Sequence, residues 1–239
     1  MMARGRDYFQ FKQFTVYQTR DVMRVNTDGV LLGAWTPDVV GRRILEIGSG
    51  TGVVSLQLLQ RGARWVDAID IDSEAYQQTR ENALRSPWAA QMAVVHSSLQ
   101  LFVENYEEPY ELIVSNPPYY DHALPSPNVR RNQMRHTEFL PTEELLAGVV
   151  ACLSPEGRFV AIFPLAEGSA FVARAASEGL YCSRQVAIAD RPQRSTKRLL
   201  CEFRREQCTP MVEELFIRNT SGEYSAEYRA LTAPFYLNF

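Results

Sequence analysis

From about residue 43 onward, apolar runs of four to seven positions alternate with segments whose apolar residues recur at helical spacing. Arg43–Ile47, Trp65–Ile71, Met92–His96 and Tyr110–Ser115 read as strands, and Gly157–Phe163 and Val186–Ala189 extend the series. Between the first two runs, Val53–Gln60 places Val53, Val54, Leu56, Leu58 and Leu59 as a helix packed on a sheet would need them. A second helix is expected from a Ser73 cap to about Arg85, with Glu74 in its first turn and Pro87 closing the connection. Thr142–Cys152 reads as a third, with Thr142 as N-cap. Further on, Leu199–Arg204 and Glu214–Arg218 look like a hairpin, and Ser225–Leu231 like a short last helix. The alternation predicts an α/β fold whose mostly parallel sheet is covered on both faces. One domain over 41-239, with residues 1-40 as an N-terminal extension packing on it, is the economical organisation.

Composition narrows this little: 46% hydrophobic and 22% charged residues over 239 positions are ordinary for a globular chain and exclude a disordered or fibrous one. The polar start, MMARGRDYFQFKQF, lacks a signal-peptide core, and no run approaches a membrane span, so a cytoplasmic protein is expected. Cys152, Cys182, Cys201 and Cys208 match no CxxC pair or zinc spacing and read as buried free thiols. No metal site is expected.

Ile44–Gly52 (ILEIGSGTG) is a strand that runs into a glycine turn and then a helix. Gly48, Gly50 and Gly52 permit positive φ and close approach of backbone to a ligand, and the helix start offers unpaired amides. Asp70 ends the next strand, where a carboxylate accepts both hydroxyls of a ribose. A dinucleotide fingerprint requires a small residue where Val53 stands, which disfavours a nicotinamide oxidoreductase. At the end of the fourth strand comes Asn116-Pro117-Pro118-Tyr119. The two prolines fix an extended backbone. The Asn116 side-chain oxygen and a backbone carbonyl then face one small site. Such acceptors suit an amino group whose lone pair is delocalised into a ring or carbonyl, since they orient it and favour pyramidalisation toward a methyl donor. Tyr119 would stack on a planar substrate, a contact worth about 1–3 kcal/mol for a nucleobase, and a base in a helix would first have to be flipped out.

The glycine turn preceded by Glu46 resembles motif I of S-adenosylmethionine-dependent methyltransferases, and with Asn116–Tyr119 it resembles the amino-methyltransferases that act on adenine, guanine or glutamine nitrogen. FKQF (11–14), NTDGVLLGAW (26–35), SPW (86–88), NPPYY (116–120) and the tail from Tyr224 are similar, in order along nearly the whole chain, to the bacterial tRNA1(Val) (adenine(37)-N6)-methyltransferase family. The resemblance implies a Rossmann-like class I methyltransferase fold: a mostly parallel seven-stranded sheet with a C-terminal antiparallel hairpin and a short N-terminal extension. It implies methyl transfer from S-adenosylmethionine, leaving S-adenosylhomocysteine, to the adenine 3′ of the anticodon of a valine tRNA. It assigns Asn116, Pro117, Pro118 and Tyr119 to catalysis, and Glu46, Gly48, Gly50, Gly52, Asp70, Ile71, Ser98, Asn116, Thr27 and Asp28 to the cofactor. Ser98 stands in for an acidic residue the family usually has there and serves equally as a helix N-cap; Asp28 likewise reads as a cap before GVLLGAW, and Asn26 replaces a usual glycine. Three alternatives stay open: a protein glutamine, whose methyltransferases carry a longer N-terminal domain; an rRNA guanine; and a non-catalytic RNA-binding factor.

A net charge of −3 does not suggest a nucleic-acid partner. Its distribution does. Residues 67–111 carry nine acids against Arg80 and Arg85, whereas 184–205 carry seven basic residues against two acids, for a net +5. Arg130, Arg131 and Arg135 in the long loop after the motif, with Arg194, Lys197 and Arg198, are the candidate RNA contacts. The lone His122 and His136 are given no role. A monomer without membrane contact is expected.

Overall fold

A computed structural model describes residues 7–118 and 140–238. The expected runs form one sheet of eight strands in the order β10-β8-β9-β7-β6-β3-β4-β5. The strands are β3 (Arg43–Ile47), β4 (Trp65–Asp70), β5 (Met92–His96), β6 (Tyr110–Ser115), β7 (Leu153–Pro164), β8 (Tyr181–Ala189), β9 (Arg198–Arg204) and β10 (Met211–Phe216). A separate antiparallel pair, β1 (Tyr8–Gln10) and β2 (Thr15–Tyr17), precedes them. The helices described are α1 (Thr27–Trp35), α2 (Val53–Gln60), α3 (Ser73–Arg85), α4 (Leu99–Asn105), α5 (Thr142–Cys152), α6 (Leu165–Ser177) and α7 (Ala226–Thr232). This is the mixed α/β, Rossmann-like arrangement expected of a methyltransferase.

Both faces of the sheet are buried, and alternate side chains divide between two cores. Ile44, Leu112, Val114, Val160 and Ile162 point into one, with α1 and α2; Leu45, Ile113, Phe159, Ala161 and Phe163 point into the other, with α5 and α6. Helix α1 is buried from Gly29 to Trp35 and packs on α2 and α7. A helix apolar all round has to be enclosed in this way. No helix among the described residues is long and apolar enough to cross a membrane.

The structure corrects several details. The sheet has an eighth strand, β10, at its edge. The antiparallel hairpin joins β8 to β9, not Leu199–Arg204 to Glu214–Arg218: both edges of β9 are taken by β7 and β8, so β10 adds in parallel to the far side of β8. The caps shift as well. Asp72, not Ser73, accepts the Ala75 amide at 2.7 Å, Asn26 rather than Asp28 accepts that of Gly29 at 2.9 Å, and α5 starts after Pro141 without a side-chain cap. Cys152, Cys182 and Cys201 are buried free thiols, but Cys208 is exposed.

Candidate active site

The carboxyl ends of β3, β4 and β6 open on one cleft of about 290 Å³, where ligands sit in open α/β sheets. Glu46, Gly48, Gly50, Asp70, Ile71, Ser98, Asn116, Pro117 and Pro118 all line it. Gly48, Gly50 and Gly52 have φ of 78°, 57° and 77°, the left-handed region that the turn requires. A Cβ built on Gly48 or Gly50 would meet nothing within 4 Å, whereas one on Gly52 would press on Thr79 at 3.1 Å. Gly52 thus serves the packing of the turn on α3.

Asp70 is held by the turn it faces. Its Oδ2 accepts the Gly50 amide at 2.8 Å and its Oδ1 the Asp72 amide at 3.0 Å. Burial pushes this carboxyl up while the two amides pull it down. Each oxygen keeps a further lone pair for a ligand. Glu46 is 3% exposed, and one oxygen takes both the Ser55 amide, at 3.0 Å, and the Ser55 hydroxyl. Burial raises it to about 8 against those hydrogen bonds, with a smaller push from the Asp70 charge. Ile71 is half-exposed and lines the cleft. Ser98 does two things: it lines the cleft and caps α4, accepting the Leu101 amide at 3.2 Å.

Asn116 follows β6 directly, and its side chain has no hydrogen-bond partner among the described residues. Ser115, fully buried beside it, donates to the Ile47 carbonyl at 2.8 Å and so ties the end of β6 to the end of β3 just before Gly48. Tyr119, Tyr120, His122, Arg130, Arg131, Arg135 and His136 lie outside the described residues.

Thr27 and Asp28 stand beside the cleft, while their neighbours Asn26 and Gly29 line it. Asp28 is paired with Arg198 at 2.7 Å. The basic segment is therefore less available than its composition suggests. Arg184 pairs with Glu213 at 2.5 Å, Arg204 with Glu202 at 2.8 Å, and Arg205 donates to the Val150 and Leu153 carbonyls. Arg194 and Lys197 remain exposed, with no side-chain partner among the described residues. Because β8 runs parallel to β7, the loop carrying them lies at the same edge of the sheet as Asn116.

Sequence reasoning missed one wall of the cleft. Asp21–Arg24 line it from a strap between β2 and α1. Gln78 Oε1 accepts the Thr19 and Arg20 amides at 2.9 and 3.1 Å, Asn82 bonds the Tyr17 backbone at both ends, and Arg20 pairs with Glu74 and Glu81. Asn82 also donates to the Thr51 carbonyl, and Thr79 to that of Gly50. One polar face of α3 thus grips strap and glycine turn together; the only signal in the sequence was that Gln78, Thr79 and Asn82 share a helical face.

A glycine turn, a ribose-type carboxylate and an Asn-Pro-Pro corner on one cleft define a class of group-transfer enzyme, and the model of the family "Methyltransferase small domain" matches residues 27–162. Among solved structures, one from Agrobacterium tumefaciens described as a predicted O-methyltransferase superposes with a TM-score of 0.69 at 18% identity, covering 87% of this chain and 96% of that one, a likeness of fold. A tRNA1(Val) (adenine(37)-N6)-methyltransferase of Bacteroides fragilis (strain YCH46) is 45% identical over 96% of this chain and 98% of its own. One of the same description from Photorhabdus laumondii is 39% identical over 98% and 97%. The chain belongs to the family of tRNA1(Val) (adenine(37)-N6)-methyltransferases.

Proposed function

We propose that this protein transfers a methyl group from S-adenosylmethionine to the exocyclic N6 amine of adenine 37, beside the anticodon of a valine tRNA. One observation carries the reading: Asn116-Pro117-Pro118 opens on the same cleft as the glycine turn, and the Asn116 side chain has no other partner among the described residues. The residues present fit the cofactor. Asp70 offers two oriented oxygens to a ribose diol, Gly48 and Gly50 leave backbone open to a ligand, and Ile71 offers an apolar surface to a flat base. When bound, S-adenosylmethionine supplies an electrophilic methyl group on its sulfonium.

The chain's own residues do the rest. The Asn116 carboxamide oxygen and a backbone carbonyl of the motif accept hydrogen bonds from the two amine hydrogens, pyramidalising the nitrogen and localising its lone pair, otherwise delocalised into the ring, toward the methyl donor. The Ser115–Ile47 hydrogen bond holds that corner against the glycine turn. The amine sheds its proton after methylation, so no strong base is required. Tyr119 stacks on the flipped adenine. Arg194 and Lys197 meet phosphates at the rim, and Arg130, Arg131 and Arg135, outside the described residues, supply further phosphate contacts. Arg198 serves the RNA only as far as its pairing with Asp28 allows. Residues 1-40 act as an extension of the catalytic domain by supplying the strap.

Incubation with labelled S-adenosylmethionine and unmodified valine tRNA tests the proposal. Label should appear as N6-methyladenosine at position 37, and Asn116→Ala should slow it by on the order of 100-fold, the range seen when one transition-state hydrogen bond is lost. Label in N2-methylguanosine, or incorporation indifferent to Asn116→Ala, would overturn it.

A further inference from the structure

Every strand of the large sheet except β9 runs the same way, so the loops that follow β8 and β10 emerge at the same edge as Asn116. The first spans residues 190–198 and the second 217–225. Together they carry five basic residues against two acids, Asp190 and Glu223.

Hydrogen bonds join the two loops into one ridge. The Ile217 and Arg218 amides donate to the Ala189 and Asp190 carbonyls at 3.1 and 2.8 Å. Arg191 reaches across to Gly222, where a Cβ would stand 3.6 Å from its Nη2. The second loop is also closed on itself: Arg218 donates to the Gly222 carbonyl at 2.8 Å, and Asn219 Oδ1 accepts the Glu223 amide at 3.0 Å. Tyr224 stacks on the buried Tyr228 at 5.2 Å and holds the Arg218 guanidinium 4.6 Å from its ring. Arg218 therefore stiffens the ridge. The Arg191 side chain is 46% exposed, and its ion pair is a 3.4 Å contact with the adjacent, exposed Asp190. A pair of that kind is readily exchanged for a phosphate.

Distance assigns the ridge its partner. Three strands lie between β6, which delivers Asn116, and β10. Four spacings of about 4.8 Å set the far loop about 19 Å from the amine site. Stacked nucleotides rise about 3.4 Å each, which makes this span roughly five or six of them. A loop nucleotide seated at Asn116 brings its own stem, rather than its loop neighbours, to that distance. A stem offers a regular row of phosphates, and a rigid basic ridge meets it without a cost of ordering. We propose that loops 190–198 and 217–225 form a second RNA-contact surface, which binds the backbone of the anticodon stem through Arg191, Arg194 and Lys197. The inference rests on reading Asn116 as the seat of the target adenine. It gives the closed loop before α7 a part in substrate binding.

Kinetics and binding with unmodified valine tRNA test it. Arg191→Ala should raise KM about fivefold, leave kcat at saturating tRNA within about twofold, and lower the slope of log K against log salt by about 1. Glu223→Lys should act in the opposite sense and lower KM about twofold or more, a gain that loss of structure does not produce. In fluorescence anisotropy, an anticodon hairpin with its stem shortened should bind the wild type and Arg191→Ala alike. Unchanged KM in Arg191→Ala, weaker binding by Glu223→Lys, or an Arg191 effect that survives shortening of the stem overturns the proposal. Wild-type protein that methylates no adenine of this tRNA overturns the reading of Asn116, and the proposal with it.

Discussion

Glu46 couples the cofactor cleft to the stability of the fold in a way that pH exposes. Its carboxyl is buried at the end of β3, and burial raises it from its ordinary 4.5 to about 8, opposed by the Ser55 hydroxyl and amide and assisted by Asp70. Between those two values the folded protein retains a proton that the unfolded chain has released. Stability from this residue is therefore complete below 4.5, falls as pH rises through the window, and levels off above about 8. At about 1.4 kcal/mol per pH unit, crossing the window removes on the order of 5 kcal/mol. Glu46→Gln never ionises, and its amide oxygen can still accept from Ser55. Urea unfolding without cofactor, followed by tryptophan fluorescence from pH 5 to 8.5, should find the two proteins within about 1 kcal/mol of each other at the acid end. At the alkaline end the variant should be the more stable by roughly 3–5 kcal/mol. A stability difference that stays constant across the range would refute the reasoning.

Three further expectations follow from packing, charge and exposure. A methyl group at Gly33 would meet Gln57 Cβ at 2.9 Å, so Gly33→Ala should cost about 1–3 kcal/mol by over-packing; an unchanged melting temperature would contradict the close approach of α1 and α2. Reversing charge at Arg194 and Lys197 together should weaken tRNA binding and lower the slope of log K against log salt by about 2, whereas Arg205→Gln should leave binding intact and lower stability, because that guanidinium holds the Val150 and Leu153 carbonyls. A thiol reagent should modify Cys208 rapidly and the other three cysteines only on unfolding, since those three are buried and burial pushes Cys152 to about 11; fast modification of two thiols would count against it.

What could be read from the sequence was what neighbours along the chain decide. Arg43–Ile47 and Tyr110–Ser115 are apolar on both faces because each strand feeds two cores, and that leaves an unbroken signal. The glycine turn, Asp70 and Asn116 sit where strands end, so finding the strands placed them. Helix α6 was hidden because β7 runs straight into it at Pro164 with no capping side chain. Strands β1 and β2 are three residues each, too short to display alternation. The caps at Asn26 and Asp72 lie within runs of competing cap residues, N-T-D and D-I-D-S, and the direction in which the chain leaves the preceding segment decides between them. The basic run at 184–205 misled for a different reason. Its partners, Asp28 for Arg198 and Glu213 for Arg184, are brought in by the tertiary fold, and no local count of charges anticipates them.

The strap has a root far from it in sequence. Phe11 bridges to Tyr236 and stacks on its ring, the Lys12 amide bonds the Phe235 carbonyl at 2.8 Å, and the Lys12 ammonium donates to the Ala233 carbonyl at 2.6 Å. The first hairpin of the molecule is thus moored by residues that leave the ribosome 221 positions later. The strap bordering the cleft is thus seated twice, on α3 through Gln78, Asn82 and Arg20, and on the segment 233–236 through Phe11 and Lys12. The segment 233–236 therefore helps to hold one wall of a cleft that none of its own residues lines.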